Sequence, residues 1–182
     1  MAGWRMHVEI RPIGLEFAED LAKIYRENRD FLRPYEPDRP ESFFTTNGQL
    51  RHIRRILGEM DRGLRWTALI YLTGQPAGLI TINNILRGVL QCGRVGYWVA
   101  EKEGSRGVAS TALRLVLDVA FCELALHRVE ASVRTDNPRS RRVLEKNRFH
   151  LIGTARDHVF LDGQWRDEFL MERHSPPISP GI

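Results

Sequence analysis

Cysteine is scarce in this chain, with only Cys92 and Cys122 among 182 residues. Two thiols exclude a disulfide framework, and their spacing fits no metal-ligand motif. Both read as reduced, as in a cytoplasmic protein, although a single bridge would also satisfy the count. Long apolar runs are missing too. No stretch approaches the ~20 residues a membrane-spanning helix requires. Met1-Ala2-Gly3-Trp4-Arg5 carries no apolar core of a secretory signal. There is no internal repeat and no low-complexity linker. Charge of one sign is not concentrated either. The formal net charge is +4, and the arginines are spread out, with local pairs at Arg54-Arg55 and Arg141-Arg142. That balance permits a phosphate-rich small molecule or an RNA-associated protein as partner, but does not argue for direct nucleic-acid binding. With 42% hydrophobic residues, the chain can bury a core without staples. It is expected to form one domain over residues 1–174. A loose tail, Ser175 to Ile182, contains three prolines.

The apolar pattern predicts a mixed α/β order. Val8 and Ile10 alternate with polar residues in a strand over His7 to Arg11. Phe17, Leu21, Ile24 and Tyr25 recur at helical spacing over Leu15 to Asn28. Pro34, Pro37 and Pro40 then impose an irregular, aromatic-bearing segment around Phe31 to Pro37. A second helix covers Gln49 to Met60. Strands follow at Trp66 to Leu72, Ala77 to Leu86 and Gly93 to Ala100, with a turn at Gly74-Gln75-Pro76. A long helix over Val108 to Leu124 precedes a strand at Val129 to Arg134. Asn137-Pro138 signals the start of a last helix, Ser140 to Asn147. Val159 to Leu161 and Glu168 to Met171 form a hairpin across Asp162-Gly163.

One segment carries a site signal. After the strand ending at Ala100 comes Gly104-Ser105-Arg106-Gly107-Val108-Ala109-Ser110, opening a helix that is apolar almost all round. Small residues at a strand-to-helix turn let backbone N–H groups converge, and the helix N-terminus adds partial positive charge. Such a loop can cradle a pyrophosphate, with Arg106 adding a charge; an ordinary connection is the other reading. It is not a Walker loop, since no Gly-Lys-Ser/Thr closes it, and its glycines do not fit the dinucleotide fingerprint.

The loop and the order of elements resemble the GNAT acetyltransferase superfamily. Its acetyl-CoA loop reads Gln/Arg-x-x-Gly-x-Gly/Ala, so Gly107 and Ala109 match while Gly104 departs. Four further segments resemble the RimJ/RimL branch, and RimJ more than RimL: Asn28 to Pro37, Leu86 to Tyr97, His127 through Asn137, Ser140 and Phe149, and Asp162 to Asp167. The resemblance implies a central, mostly antiparallel sheet of about seven strands flanked by about four helices. It implies acetyl-CoA as co-substrate and no metal. Acetyl transfer to a protein N-terminus, plausible for a ribosomal protein, is the implied reaction; a small amine or lysine acceptor, or an acyl-CoA-binding module without turnover, are the alternatives. A homodimer is compatible with the resemblance.

The resemblance also implies roles. A backbone N–H at Val99 or Trp98 would polarise the thioester. Gly104, Ser105, Arg106, Gly107, Val108, Ala109 and Ser110 would hold the pyrophosphate, and Asn137 the pantetheine arm, with an Asx turn before Pro138 as its other reading. The tyrosine that serves as acid in many members falls at Leu144, so Ser140, one turn earlier, is the candidate; it could also act as a helix-start hydroxyl. The glutamate of RimL-type enzymes falls at Val159. Glu130 is the preferred base, against an ion pair with a neighbouring arginine; His158 and a water relay are the other options. Arg148 stands where the family has glycine, so that either a different turn or a contact with the CoA phosphates is expected.

Overall fold

The computed structural model describes residues 7–176. The last six residues of the expected tail, and the N-terminal segment read for a signal, lie outside the described residues. Seven strands form one sheet in the order β1-β2-β3-β4-β5-β7-β6. They are β1 (Val8–Pro12), β2 (Trp66–Leu72), β3 (Gln75–Leu86), β4 (Cys92–Val99), β5 (Arg128–Arg134), β6 (His150–Leu161) and β7 (Gln164–His174). Only β4 and β5 pair in parallel; every other neighbouring pair is antiparallel. The helices are α1 (Ala18–Glu27), α2 (Arg29–Leu32), α3 (Thr46–Asp61), α4 (Val108–Asp118) and α5 (Pro138–Lys146). The helix beyond the four expected is the one-turn α2, inside the segment that proline content marked as irregular.

Strand β2 shows why the sheet is covered on both faces. Ala68, Ile70 and Leu72 enter the core beneath α4 and α5, with Ile80, Ile82, Val116 and Leu117. Leu69 and Tyr71 enter a second core with Leu21, Ile24, Ile53 and Ile56 of α1 and α3. Side chains alternate across a strand, so a continuous apolar run is what a two-sided strand requires.

Three expectations shift. The turn before β3 is Thr73-Gly74, both with positive φ (50° and 78°), because Pro76 is accommodated inside the strand beside a bulge at Ile70/Tyr71. The helix expected to run unbroken to Leu124 is α-helical only to Asp118 and continues as a π-turn over Val119–Glu123. Its outer face is also less apolar than expected, since Arg114 and Asp118 are exposed and pair there. Finally, the C-terminal hairpin does turn at Asp162-Gly163, with φ of 49° and 72°, but its strands run back to His150 and on to His174. Most of β6 is exposed and lies at the sheet edge, so it lacks the apolar alternation that identifies a half-buried strand.

The Arg148 departure has a local explanation. Arg148 N donates to Glu145 O and Phe149 N to Leu144 O, which makes the end of α5 a Schellman motif. Arg148 occupies the left-handed position with φ 61°, and Phe149 packs in the same core as Leu144. The family's turn is therefore kept at the cost of a strained arginine. Arg148→Gly is expected to relieve ~1–2 kcal/mol of left-handed strain, less the extra entropy glycine loses. It also removes a like charge beside Arg173. A net gain of about 0.5–1 kcal/mol should raise Tm by about 1–4 °C in a thermal melt; a lower Tm would contradict the strain.

Candidate active site

The parallel pair β4–β5 is short. It holds only at Cys92↔Arg128, Gly93↔Val129 and Arg94↔Glu130. β4 then continues beside β3, and β5 beside β7. A fork opens between them, and its cavity of about 160 Å³ is walled by Tyr97, Ser132, Asn137, Ser140, Leu144 and Glu168, among others.

Strand alternation decides which β4 donor faces the fork. Ala100 N donates to Ala77 O at 2.8 Å. The Trp98 carbonyl also faces β3, so closely that a Cβ on Gly78 would lie 2.2 Å from it. N–H and C=O of one residue point to the same side, and successive residues alternate. Trp98 N–H therefore points to β3, and Val99 N–H points away from it, into the fork. The Trp98 ring lies on the other face of the sheet, packed 4.9 Å from Tyr25.

The glycine-bearing loop borders the fork. Ser105 and Gly107 have positive φ (61° and 80°), and Gly107 is the N-cap of α4 with no side chain capping the helix. The first N–H groups of Val108, Ala109 and Ser110 thus gain no side-chain cap. A Cβ on Gly107 would meet nothing within 4 Å, so the loop faces open space. That space, about 270 Å³, is walled by Val99, Gly104, Ser105, Gly107, Val108, Ala109 and Ser110, by Glu103, whose carboxylate is paired with Arg106, and, from α5, by Arg139, Arg142, Val143 and Lys146. Three cations beside an uncapped helix N-terminus suit the phosphates of coenzyme A.

The side chains divide differently from expectation. Arg106 does not wall this space; its guanidinium pairs with Glu103 at 2.5 Å. Arg139, Arg142 and Lys146 stand there instead. They recur at i, i+3 and i+7, one face of α5, a periodicity visible in the sequence, but only the packing of α5 on α4 shows that this face meets the loop. Ser110 Oγ accepts Asn147 Nδ2 at 3.1 Å, so its side chain ties α4 to α5. Val108 is buried in the core. Arg148 is absent from the wall.

At the fork, Asn137 Oδ1 accepts from Ser140 N at 3.1 Å and caps α5. This is the Asx reading of Asn137, and it frees Ser140 Oγ from capping. Ser140 Oγ instead lies 3.0 Å from Tyr97 Oη. Burial raises the Tyr97 hydroxyl to about 12, against a smaller lowering by Ser140, so at neutral pH it stays protonated. Leu144, at the position of the usual tyrosine, is 1% exposed and packs in the core. Tyr97 thus returns a phenol to the fork from a different element, which the missing tyrosine at Leu144 did not suggest.

The basic candidates separate. Glu130 pairs with Arg128 at 2.8 Å and Arg94 at 3.9 Å, the ion-pair alternative, and walls none of the cavities around β4. Parallel register brings Arg94 opposite it, and no periodicity along β5 reveals that neighbour. His158 Nδ1 lies 2.8 Å from Glu168 Oε2 across the β6–β7 hairpin; Glu168, not His158, walls the fork. Val159 pairs with Arg166 in the hairpin. Cys92 is buried and Cys122 exposed, both unbridged. Among the described residues no group of three or more His, Cys, Asp or Glu is placed to hold a metal, and no helix is long and apolar enough to cross a membrane.

A β4–β5 pair that forks next to an uncapped helix N-terminus and three cations leaves room for an acyl donor that carries phosphates, and comparison with known proteins agrees. Residues 7–150 match the family profile described as an acetyltransferase (GNAT) domain. The chain belongs to the GNAT acetyltransferase family. It is 33% identical over 171 residues to the probable N-acetyltransferase YjcK of Bacillus subtilis (strain 168), spanning 93% of this chain and 94% of that one. It is 29% identical over 163 residues to the ribosomal protein uS5-alanine N-acetyltransferase of Escherichia coli (strain K12), spanning 88% and 84%. The solved structure of Mycobacterium smegmatis RimJ in complex with CoA-disulfide superposes with a TM-score of 0.88 at 30% identity, over 92% of this chain and 82% of that one. The protein is an N-acetyltransferase that uses acetyl-CoA, with relatives of the RimJ/RimL type.

Proposed function

We propose that this enzyme transfers the acetyl group of acetyl-CoA to the α-amine of a protein N-terminus, with ribosomal proteins as the first acceptors to try, by direct attack in a ternary complex. The observation that carries the reading is the fork itself, which the Ser140–Tyr97 hydroxyl pair lines and toward which the Val99 N–H points from the adjoining loop space. The similarity to a uS5-alanine acetyltransferase supports the choice of acceptor. So does chemistry, because an α-amine with a pKa near 8 needs far less deprotonation at neutral pH than lysine at about 10.4.

In this reading the loop from Gly104 to Ser110 binds phosphate through backbone N–H groups, and Arg139, Arg142 and Lys146 add charge. Asn137, its Oδ1 committed to the cap, has Nδ2 as the donor for the pantetheine amide. Val99 N–H hydrogen-bonds the carbonyl oxygen as negative charge grows there. Ser140 Oγ–H, with Tyr97 Oη beside it, hydrogen-bonds the departing sulfur.

The test is thiol release from acetyl-CoA with a panel of N-terminal peptides beside lysine peptides and small amines. Turnover should be fastest on N-terminal peptides. Turnover confined to small amines or lysine would overturn the protein N-terminus assignment, and binding of acetyl-CoA without turnover on any amine would point to the non-catalytic alternative.

A further inference from the structure

A third cavity opens on the face of the sheet opposite α4. It measures about 360 Å³ and is bounded by Tyr25 of α1, His52 of α3, Trp98 of β4, and Glu36 and Arg39. It shares Tyr35, Gly96 and Tyr97 with the fork cavity that contains Ser140. On its other side it shares Tyr25, Leu32, Glu36 and Arg39 with an outer cavity of about 430 Å³. Glu36 therefore stands on a path that leads from the surface to the fork, approaching it from the side opposite α5.

Local structure holds Glu36 in place. Tyr35 N and Glu36 N both donate to Leu32 O, at 2.8 and 3.1 Å, and Pro34 and Pro37 stiffen the segment on either side. The carboxylate is not neutralised in a closed ion pair: Arg39 Nε lies 3.9 Å away and is buried without a hydrogen-bond partner. Among the inner neighbours, burial lowers His52 to about 4, so it is neutral at pH 7. Arg55 and Arg65 are both engaged by Glu59, at 2.5 and 2.9 Å. On the outer side Arg29 pairs with Glu41 at 2.5 Å, while Arg33, Asp30 and Asp38 line the outer cavity with charges of both signs. Burial raises the Glu36 carboxyl above the usual carboxylate range, against the lowering influence of Arg39 and of the Tyr25 hydroxyl. A raised carboxylate is a better base.

We propose that this cavity is the acceptor site and that the Glu36 carboxylate receives the acceptor's primary ammonium and takes its proton. This rests on the acetyl transfer proposed above. The balance is simple. One ammonium proton passes to Glu36 and on to solvent. The freed nitrogen lone pair forms the N–C bond as the C–S bond breaks. The nitrogen's second lost proton is matched by the one that the sulfur gains, so the turnover releases one net proton.

The test is steady-state kinetics of Glu36→Gln on full-length protein across pH 5.5–9, with acetyl-CoA affinity measured by calorimetry as the check on folding and donor binding. Acceptor kcat/KM should fall about 100-fold at pH 7, within the usual range for a lost acid–base group, while acetyl-CoA affinity stays as in wild type. A base works when deprotonated, so wild-type activity should decline as pH falls through the raised Glu36 value; the substitution should abolish that acid limb. Kinetics are read on whichever amine the wild type acetylates, so failure of the protein N-terminus assignment leaves this test intact. A second readout needs no turnover: calorimetric affinity of the CoA-bound protein for that same amine should weaken about tenfold. A loss under about threefold with the acid limb intact, an unchanged amine affinity, or the large loss falling on Glu168→Gln or Glu130→Gln instead, overturns the assignment.

Discussion

Gly107→Glu should weaken acetyl-CoA binding about 100-fold, the largest effect expected of any single change in the donor site. Gly107 caps α4 with φ 80° and faces open space walled by the loop and the cations of α5. A carboxylate placed there sits against the phosphates. At about 5 Å and an effective dielectric near 20, two unit charges repel by about 3 kcal/mol, or roughly two decades in Kd. The same carboxylate is favourable to the free helix N-terminus, so the protein should fold, with ~1–2 kcal/mol of left-handed strain. Gly107→Asn separates the two effects, since asparagine tolerates the left-handed region and carries no charge. Calorimetry should find Asn close to wild type and Glu far weaker. Unchanged affinity in Gly107→Glu would remove the loop from the donor site.

Ser140→Ala should lower kcat about 100-fold, about 2.7 kcal/mol in the barrier, with the KM for acetyl-CoA within about twofold of wild type. The cap of α5 belongs to Asn137, so loss of the Ser140 hydroxyl should leave Tm nearly unchanged. That distinguishes a role in turnover from a role at the helix start. Tyr97 is proposed as a positioning residue acting through Ser140, and it has its own test. Tyr97→Phe should cost less than Ser140→Ala, and adding it to Ser140→Ala should cost almost nothing further, as for groups that act as one unit. Equal turnover in Ser140→Ala would exclude the hydroxyl from the step. Additive losses would mean that Tyr97 acts independently of Ser140.

Local chemistry made part of this site legible. The glycine-bearing loop, the helix start at Asn137-Pro138 and the Asp162-Gly163 turn are all set by residues adjacent in the chain, whose conformational preferences act over a few positions. Glu36 lay within a segment noted for its prolines and aromatics, yet nothing in that segment ranks its carboxylate above Glu130. Glu130 was attractive as a carboxylate on a short strand; its partners Arg94 and Arg128 meet it only through the parallel register of β4 and β5 and the cross-strand geometry of β5. The first half of β6 carries no alternating apolar signal, because an exposed edge strand needs none.

From short-range spacing came the mixed α/β order and the small-residue turn at the start of α4; the candidacy of Ser140 and acetyl-CoA as donor came from the resemblance to the GNAT superfamily, whose motifs survive as spacing. Tertiary structure decided which groups meet. Tyr97 and Ser140 are 43 residues apart and touch only because β4 and β5 part after Arg94. Val99 rather than Trp98 faces the fork because the Ala100–Ala77 bond sets the phase of β4. Arg139, Arg142 and Lys146 replace Arg106 at the loop because α5 packs against α4. These are contacts between distant segments, and their energies come from burial and sheet register rather than from neighbours along the chain.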